Sequence, residues 1–307
     1  MTNPIRLGLV GAGKIARDQH MAAIASNGSF KLVATADPHN SFADVQSYPS
    51  LGAMIAGAEL DAVTISTPPG VRHELASEAI AAGLHLLLEK PPAATVTEAL
   101  DLESRARKAG VTIFAAWHSR EAAAVGAAQA WLANRQIISA KIEWKEDIRR
   151  WHPGQEWLLE AIGFGVFDPG INALSILTAI MPMPIAVHAA DLTIPEGRGA
   201  PISATIGIVA GESVPISVEL DLLCEDEQRW TIEVHTEDSQ MLLRDGGATM
   251  VIDGRETSGP DREYPALYAR FATLIGARQS DLDVRPLQLV ADACMIGTRR
   301  VGPTFNF

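Results

Sequence analysis

Lys90 and Asp168 are titratable side chains of types that can carry protons, one at the end of a strand-like run and one at a helix start. Lys90 ends the run HLLLEKPP (residues 85–92), in which the leucines read as a buried strand and two prolines stop it. Charged residues are seldom fully buried without a partner, and neighbours on a strand point to opposite faces. Glu89 and Lys90 are therefore not expected to neutralise one another: one faces a ligand, the other the protein. Proline cannot continue the ladder, and a cis bond at Lys90-Pro91 or Pro91-Pro92 fits the sequence. The plainer reading of Lys90 is a surface lysine following a strand. Asp168 opens Asp168-Pro169-Gly170-Ile171-Asn172. Asp before Pro is an ordinary helix start, with Asp as the cap and Pro in the first helical position. That leaves Asn172 unexplained, four residues on and on the same helix face.

Gly11-Ala12-Gly13-Lys14-Ile15-Ala16 is a GxGxxA turn between a strand and a helix. The first glycine permits the tight turn, the second lets a pyrophosphate reach the backbone, and the small third residue lets helix and strand pack. The helix start then offers free N–H groups to phosphate, with Gly11, Gly13, Lys14 and Ile15 as its contacts. Asp37 ends the next strand, where an acid accepts from the adenosine ribose hydroxyls and repels the 2′-phosphate of NADP. The following Pro38-His39-Asn40 supplies no arginine. NAD is the expected cofactor, and His39 leaves NADP open. Ser66, Thr67 and Pro68, then His73, and finally Glu89 and Lys90 complete the candidate cofactor contacts.

These residues need a scaffold that gathers strand ends. IRLGLVG, KLVATAD, LDAVTISTPP, LHLLLEK and VTIFAAWH alternate with helical segments, which predicts a parallel sheet covered on both faces. In open α/β sheets the ligand lies beyond the carboxyl ends of the strands. Thr95 and Glu98 have capping-box spacing, with Thr97 a rival cap. Ala99, Leu102, Ala106 and Ala109 form the apolar face of that helix, and Gly110 ends it. Beyond residue 120 the chain turns strand-rich: ISAKIEWKE, ISATIGIVA, PISVELDLLCE, RWTIEVHTE and ATMVID. Helical patterns return near residues 263–278 and 286–298. The expected domains are 1–120 and 121–307.

At GAGKIA, STPP and LEKPP the sequence resembles the glucose–fructose oxidoreductase / inositol dehydrogenase family. The resemblance implies an α/β protein: an N-terminal Rossmann domain followed by an α+β domain with an open-faced, mostly antiparallel sheet. DIRRWHPGQEWLLEAIGFGVFDPGINALSIL (residues 147–177) is similar to the family's sugar 1-dehydrogenases, which act on D-galactose and L-arabinose. Asn172 stands where many wider-family members carry histidine. Ile162 stands where a small residue is expected, and Ala93 where glycine is usual. The resemblance implies oxidation of a cyclic aldose at the anomeric carbon, with hydride passing to the nicotinamide and a lactone forming. It points to Asp168 as proton acceptor, Lys90 as the donor that orients the hydroxyl, and Asn172 as a hydrogen-bonding partner. Burial and a close charge pair would shift the two pKa values in opposite senses, so the reverse assignment stays open. By position it adds His118, Glu146, Trp151 and Trp230 as sugar contacts. Tryptophan suits the apolar face of a pyranose, although Trp144, Trp151 and Trp230 also read as core.

The net charge of −12 repels nucleic acid and anionic membranes. No stretch reaches the length of a membrane span. Cys224 and Cys294 form no CxxC and fit a reducing, cytoplasmic setting. The eight histidines make no HxH or HExxH pairing, so no metal is expected. A small aldose is the expected partner, together with a homodimer through the C-terminal sheet, since an open sheet with one uncovered face seeks a partner and large apolar patches mark interfaces. Alternatives are oxidation at another carbon by an enzyme of the same fold, and a regulator that binds nucleotide and sugar without catalysis.

Overall fold

The computed structural model of the protein describes residues 3–307. The chain forms two compact units: one runs to His118 and takes in Tyr264–Val284, the other comprises Ser119–Glu263 and Arg285–Phe307. In the first unit the strands are β1 (Ile5–Val10), β2 (Phe30–Ala36), β3 (Gln46–Tyr48), β4 (Ala62–Ile65), β5 (His85–Glu89) and β6 (Ile113–Ala116). They lie parallel in the order β3-β2-β1-β4-β5-β6. The order reverses between β1 and β4, which is where such sheets open a crevice for a dinucleotide. Leu86, Leu87 and Leu88 are fully buried, as an inner strand covered on both faces requires.

The helical segment after β1 contains a π-helical turn at Ala16–His20 and continues as α1 (Met21–Ala25); α2 is Leu51–Gly57, α3 Arg72–Ala81 and α4 Val96–Ala109. Thr95 accepts the Glu98 N–H at 3.2 Å, and the Glu98 carboxylate accepts the Thr95 N–H at 3.3 Å. Ala99, Leu102 and Ala106 are buried as expected, but Ala109 is exposed, because the helix ends there and its last turn leaves the sheet.

The second unit contains α5 (Val125–Leu132), β7 (Ile137–Lys145), α6 (Ile148–Trp151), α7 (Phe167–Ile180), β8 (Ile185–Pro195), β9 (Ser203–Ala210) and β10 (Val214–Asp221). It continues through β11 (Arg229–Thr236), β12 (Gln240–Arg244), β13 (Thr249–Ile252) and β14 (Arg255–Ser258). Then α8 (Glu263–Ala277) joins the first unit from Tyr264 onward, and α9 (Arg285–Ile296) and β15 (Thr298–Gly302) complete the second. A single boundary at residue 120 therefore misses the return of α8. The apolar face of that helix packs on Leu7, Phe30, Leu87 and Phe114 of the parallel sheet.

The second sheet runs β14-β13-β12-β11-β7-β10-β9-β8-β15 and is antiparallel except where β7 meets β10 and β8 meets β15. Along β7 the buried Ala140, Ile142 and Trp144 alternate with Lys141, Glu143 and Lys145. Helix α7 packs on β7 and β11 and against α5 and α9. The opposite face is not the apolar surface expected of a sheet in need of a partner. Lys145 bridges Glu143 at 3.1 Å and Glu219, Lys141 lies 3.5 Å from Glu143, and Arg229 lies 3.6 Å from it. Among the described residues no helix is long and apolar enough to cross a membrane.

Candidate functional site

The carboxyl edge of the parallel sheet gathers the glycine turn, Asp37, Ser66-Thr67, Glu89-Lys90 and His118. Gly11 has φ +90°, and a Cβ there would sit 3.0 Å from the Ser66 carbonyl carbon, so the residue must be glycine. The Ser66 hydroxyl donates to the Gly11 carbonyl at 2.8 Å and ties the ends of β1 and β4 together. Gly13 has open space where its side chain would be, and Ala16 is fully buried. The backbone beside Gly13 is thus free to approach a pyrophosphate while the third small residue serves packing. Ile15 packs against the core with its side chain, and Lys14 pairs with Asp18 one helical turn on.

Asp37 also holds this turn. Its Oδ2 accepts the Ala12 N–H at 2.8 Å, and Oδ1 accepts the N–H groups of His39 and Asn40 at 2.8 and 2.7 Å. Burial pushes its carboxyl up, but the three backbone donors outweigh that and hold it below the usual range. Thr67 places a buried Oγ1 at the end of β4 with no hydrogen-bond partner. Buried polar atoms are nearly always satisfied, so this hydroxyl and the open space at Gly13 fit a dinucleotide bound along this edge.

His73 directs a ring nitrogen to Asp101 of α4 at 2.8 Å, while its neighbour Arg72 turns inward, 2 % exposed, and donates to the carbonyl oxygens of Thr67, Glu89 and Pro91. Glu89, 4 % exposed, turns its carboxylate into the protein because its polar partners are there. Oε1 accepts the Tyr264 hydroxyl at 2.7 Å and lies 3.1 Å from His20 Nε2, and Oε2 accepts the Lys90 N–H at 2.8 Å. Burial alone would raise the Glu89 carboxyl. The hydrogen bond from His20, the charges of His20 and His118 and the Tyr264 hydroxyl together hold it well below the usual range. His20 Nδ1 meets the Tyr268 hydroxyl at 2.8 Å, and burial pushes that phenol up. His118 stacks on the Tyr264 ring, centroids 5.4 Å apart. Lys90 follows β5 and is half-buried, and its bond to Pro91 is cis.

In the second unit Asp168 and Asn172 lie four residues apart on α7, both half-buried. The helix starts at Phe167 with Val166 as its cap residue, so Asp168 sits inside the first turn rather than capping it. A separate cluster surrounds Glu146. That carboxylate is 5 % exposed; Oε1 lies 2.9 Å from His152 Nε2, and Oε2 accepts the Trp230 indole N–H at 2.9 Å. Trp151 and Trp230 meet edge to face with centroids 5.3 Å apart, and the Trp151 indole donates to Gln228. Trp144 is core, whereas Trp151 is 42 % exposed. Ile162 is exposed and Ala93 fully buried.

Sequence reasoning missed Arg72, His20, His152, Gln228 and Arg17. The last reaches back over the Phe42 ring at 4.8 Å, and its guanidinium lies 3.5 Å from the Ser41 carbonyl, beside the loop that follows Asp37. No local motif marks any of the five; His152 meets Glu146 six residues away, and the others are recruited by partners farther off in sequence.

Residues 5–117 match the model of an oxidoreductase family with an NAD-binding Rossmann fold, GFO/IDH/MocA. Galactose 1-dehydrogenase of Pseudomonas fluorescens is 43% identical over 299 residues, covering 96% of this chain and 97% of the relative. The crystal structure of a D-galactose-1-dehydrogenase protein from Rhizobium etli superposes with a TM-score of 0.96 at 49% identity, covering 100% of this chain and 99% of the other. A 3-ketoreductase from Actinomadura kijaniata, crystallised with NADP and TDP-benzene, shares the fold alone. It is 16% identical with a TM-score of 0.84, covering 98% of this chain and 100% of its own.

Proposed function

We propose that this chain, which belongs to the GFO/IDH/MocA family of oxidoreductases, oxidises the anomeric carbon of D-galactose to the lactone, with L-arabinose as a second substrate. At the coarser level it is an NAD-dependent sugar dehydrogenase acting on a CH–OH group. The observation that carries the finer reading is similarity over both units to galactose 1-dehydrogenases. D-galactose and L-arabinose pyranoses share their ring hydroxyl configuration and differ in the exocyclic hydroxymethyl group, so a pocket for the first admits the second. NADP use alongside NAD belongs to the same proposal.

When bound, the nicotinamide accepts the hydride. Gly11, Gly13 and Thr67 would hold the dinucleotide at the carboxyl edge of the sheet, and Asp37 the ribose. Asp168 takes the proton of the anomeric hydroxyl and Lys90 donates a hydrogen bond that makes that hydroxyl more acidic. Asn172 holds an oxygen of the sugar. Trp151 gives the ring an apolar wall, and Glu146 acts from behind it by fixing Trp230 and His152 rather than by touching the sugar. A cytoplasmic setting completes the reading; the two free cysteines suit a reducing compartment.

The test is a panel of aldoses with NAD and NADP, run on the wild type and Lys90→Ala, with the product identified. Galactose and arabinose should be oxidised to lactones, and the variant should lose at least about a hundredfold in kcat, the scale of proton-transfer help. A ketone product would move the reaction to another carbon, and no reduced cofactor with any common aldose would favour the non-catalytic regulator.

A further inference from the structure

Lysine carries its charge on a flexible stem, so the ammonium of Lys90 is only as well placed as the peptide units on either side of it. Two buried ionic side chains hold the unit before it, and one of them also holds the carbonyl of Pro91 beyond it. The Arg72 guanidinium contacts the carbonyl oxygens of Glu89 and Pro91, the residues immediately before and after Lys90, and also that of Thr67. Glu89 accepts the Lys90 N–H, and its carboxylate is fixed in turn by Tyr264 and His20. His20 is held by Tyr268, whose hydroxyl meets Thr64 at 3.1 Å. A guanidinium is a rigid planar fork that can engage several acceptors at once. Here it joins the end of β4, where Thr67 carries its unpartnered hydroxyl, to the turn that bears Lys90.

We propose that Arg72 and Glu89 are positioning residues for Lys90. They lock the peptide unit that leads into Lys90 from both its carbonyl and its N–H, anchor the turn again at the Pro91 carbonyl, and so set where the ammonium stands relative to the Thr67 strand end. Neither touches the sugar. The inference rests on the reading of Lys90 as a proton-transfer residue.

The experiment compares Arg72→Met, Arg72→Lys, Glu89→Gln and Lys90→Ala, and the double variant Arg72→Met with Lys90→Ala, in the full-length chain. It reads kcat, KM for galactose, NADH affinity by fluorescence, the pH profile of kcat and the thermal midpoint. Arg72→Met should lower kcat by about tenfold to hundredfold, as a misplaced catalytic group does, with NADH affinity within about threefold of wild type. Arg72→Lys should recover only part of this, because an ammonium cannot span three carbonyls. Glu89→Gln keeps an acceptor for the Lys90 N–H but removes its charge, and should shift a limb of the pH profile. The double variant should be no slower than Lys90→Ala alone, since groups acting as one unit are not additive.

A kcat within twofold of wild type in Arg72→Met, or a loss that adds in full to that of Lys90→Ala, overturns the proposal. If Arg72→Met does not fold, Arg72→Lys and Glu89→Gln decide by the same readouts: an unchanged kcat and pH profile in both would overturn it. A fully active Lys90→Ala would instead remove the reading of Lys90, a result distinct from failure of the clamp.

Discussion

Asp37 and Arg17 bring opposite charges to one short loop. Asp37 stays ionised through mild acid because the N–H groups of Ala12, His39 and Asn40 point at it. In the proposed ribose-binding role it would repel a 2′-phosphate and accept from a free ribose hydroxyl. Arg17 stands over Phe42 on the same loop and offers a cation that the residues following Asp37 lack. If Asp37 holds the ribose as proposed, the NAD/NADP preference becomes a balance between these two single charges. Removing either charge should move the ratio of kcat/KM values for NAD and NADP by about tenfold, the equivalent of about 1.4 kcal/mol. Arg17→Ala should move it toward NAD, and Asp37→Ser toward NADP. Steady-state kinetics with both cofactors check this, and a ratio unmoved by Arg17→Ala removes the arginine from cofactor choice.

Helix α7 shows how an element can depend on residues far from its own signals. Gly165 precedes Asp168 by one turn, has φ +54°, and a Cβ there would stand 2.1 Å from the Pro201 carbonyl oxygen. Phe164 beside it has φ 68°, a conformation a bulky residue rarely adopts. The Asp168 N–H donates to the Gly165 carbonyl at 3.0 Å, so this strained turn sets the start of the helix. Gly165→Ala should destabilise the second unit by more than about 1 kcal/mol, the scale of a side chain forced into an incompatible backbone. It should also lower kcat by displacing Asp168. Thermal unfolding and kinetics measure the two effects; a midpoint equal to wild type means the turn adapts. Helix α4 was legible in the sequence because Thr95, Glu98 and Gly110 act within one turn of its ends. The start of α7 was not, because the residues that require Gly165 lie near Pro201. The buried leucine run that ends at Lys90 could be read from the sequence, but the inward turn of Arg72 could not. The three carbonyls it gathers come from the ends of two strands.

At the scale of the whole chain, the alternation of strands and helices identified the parallel sheet, and the strand-rich second half identified the other. What the sequence withheld was an address. The apolar periodicity of α8 says that one face is buried but not against which sheet, so a boundary at residue 120 looked complete. In the structure Leu267, Tyr268 and Phe271 join Leu7, Phe30, Leu87 and Phe114 in one core, with Phe30 and Phe271 stacked at 5.6 Å. Tyr264 and Tyr268 also hold Glu89 and His20. Burying each large apolar side chain contributes about 1.5–3 kcal/mol, against a net domain stability of about 5–15 kcal/mol. Losing the apolar residues of α8 from this core removes an amount comparable to the whole margin. A fragment of residues 1–118 should therefore lack a cooperative thermal transition, bind a hydrophobic dye and fail to bind NADH. The same fragment joined by a flexible linker to residues 264–284 should recover all three properties, because the helix supplies both the missing apolar face and the hydroxyl partner of Glu89. Circular dichroism, dye fluorescence and NADH titration distinguish the two fragments. Cooperative unfolding and NADH binding by residues 1–118 alone would show that the parallel sheet closes its core without α8.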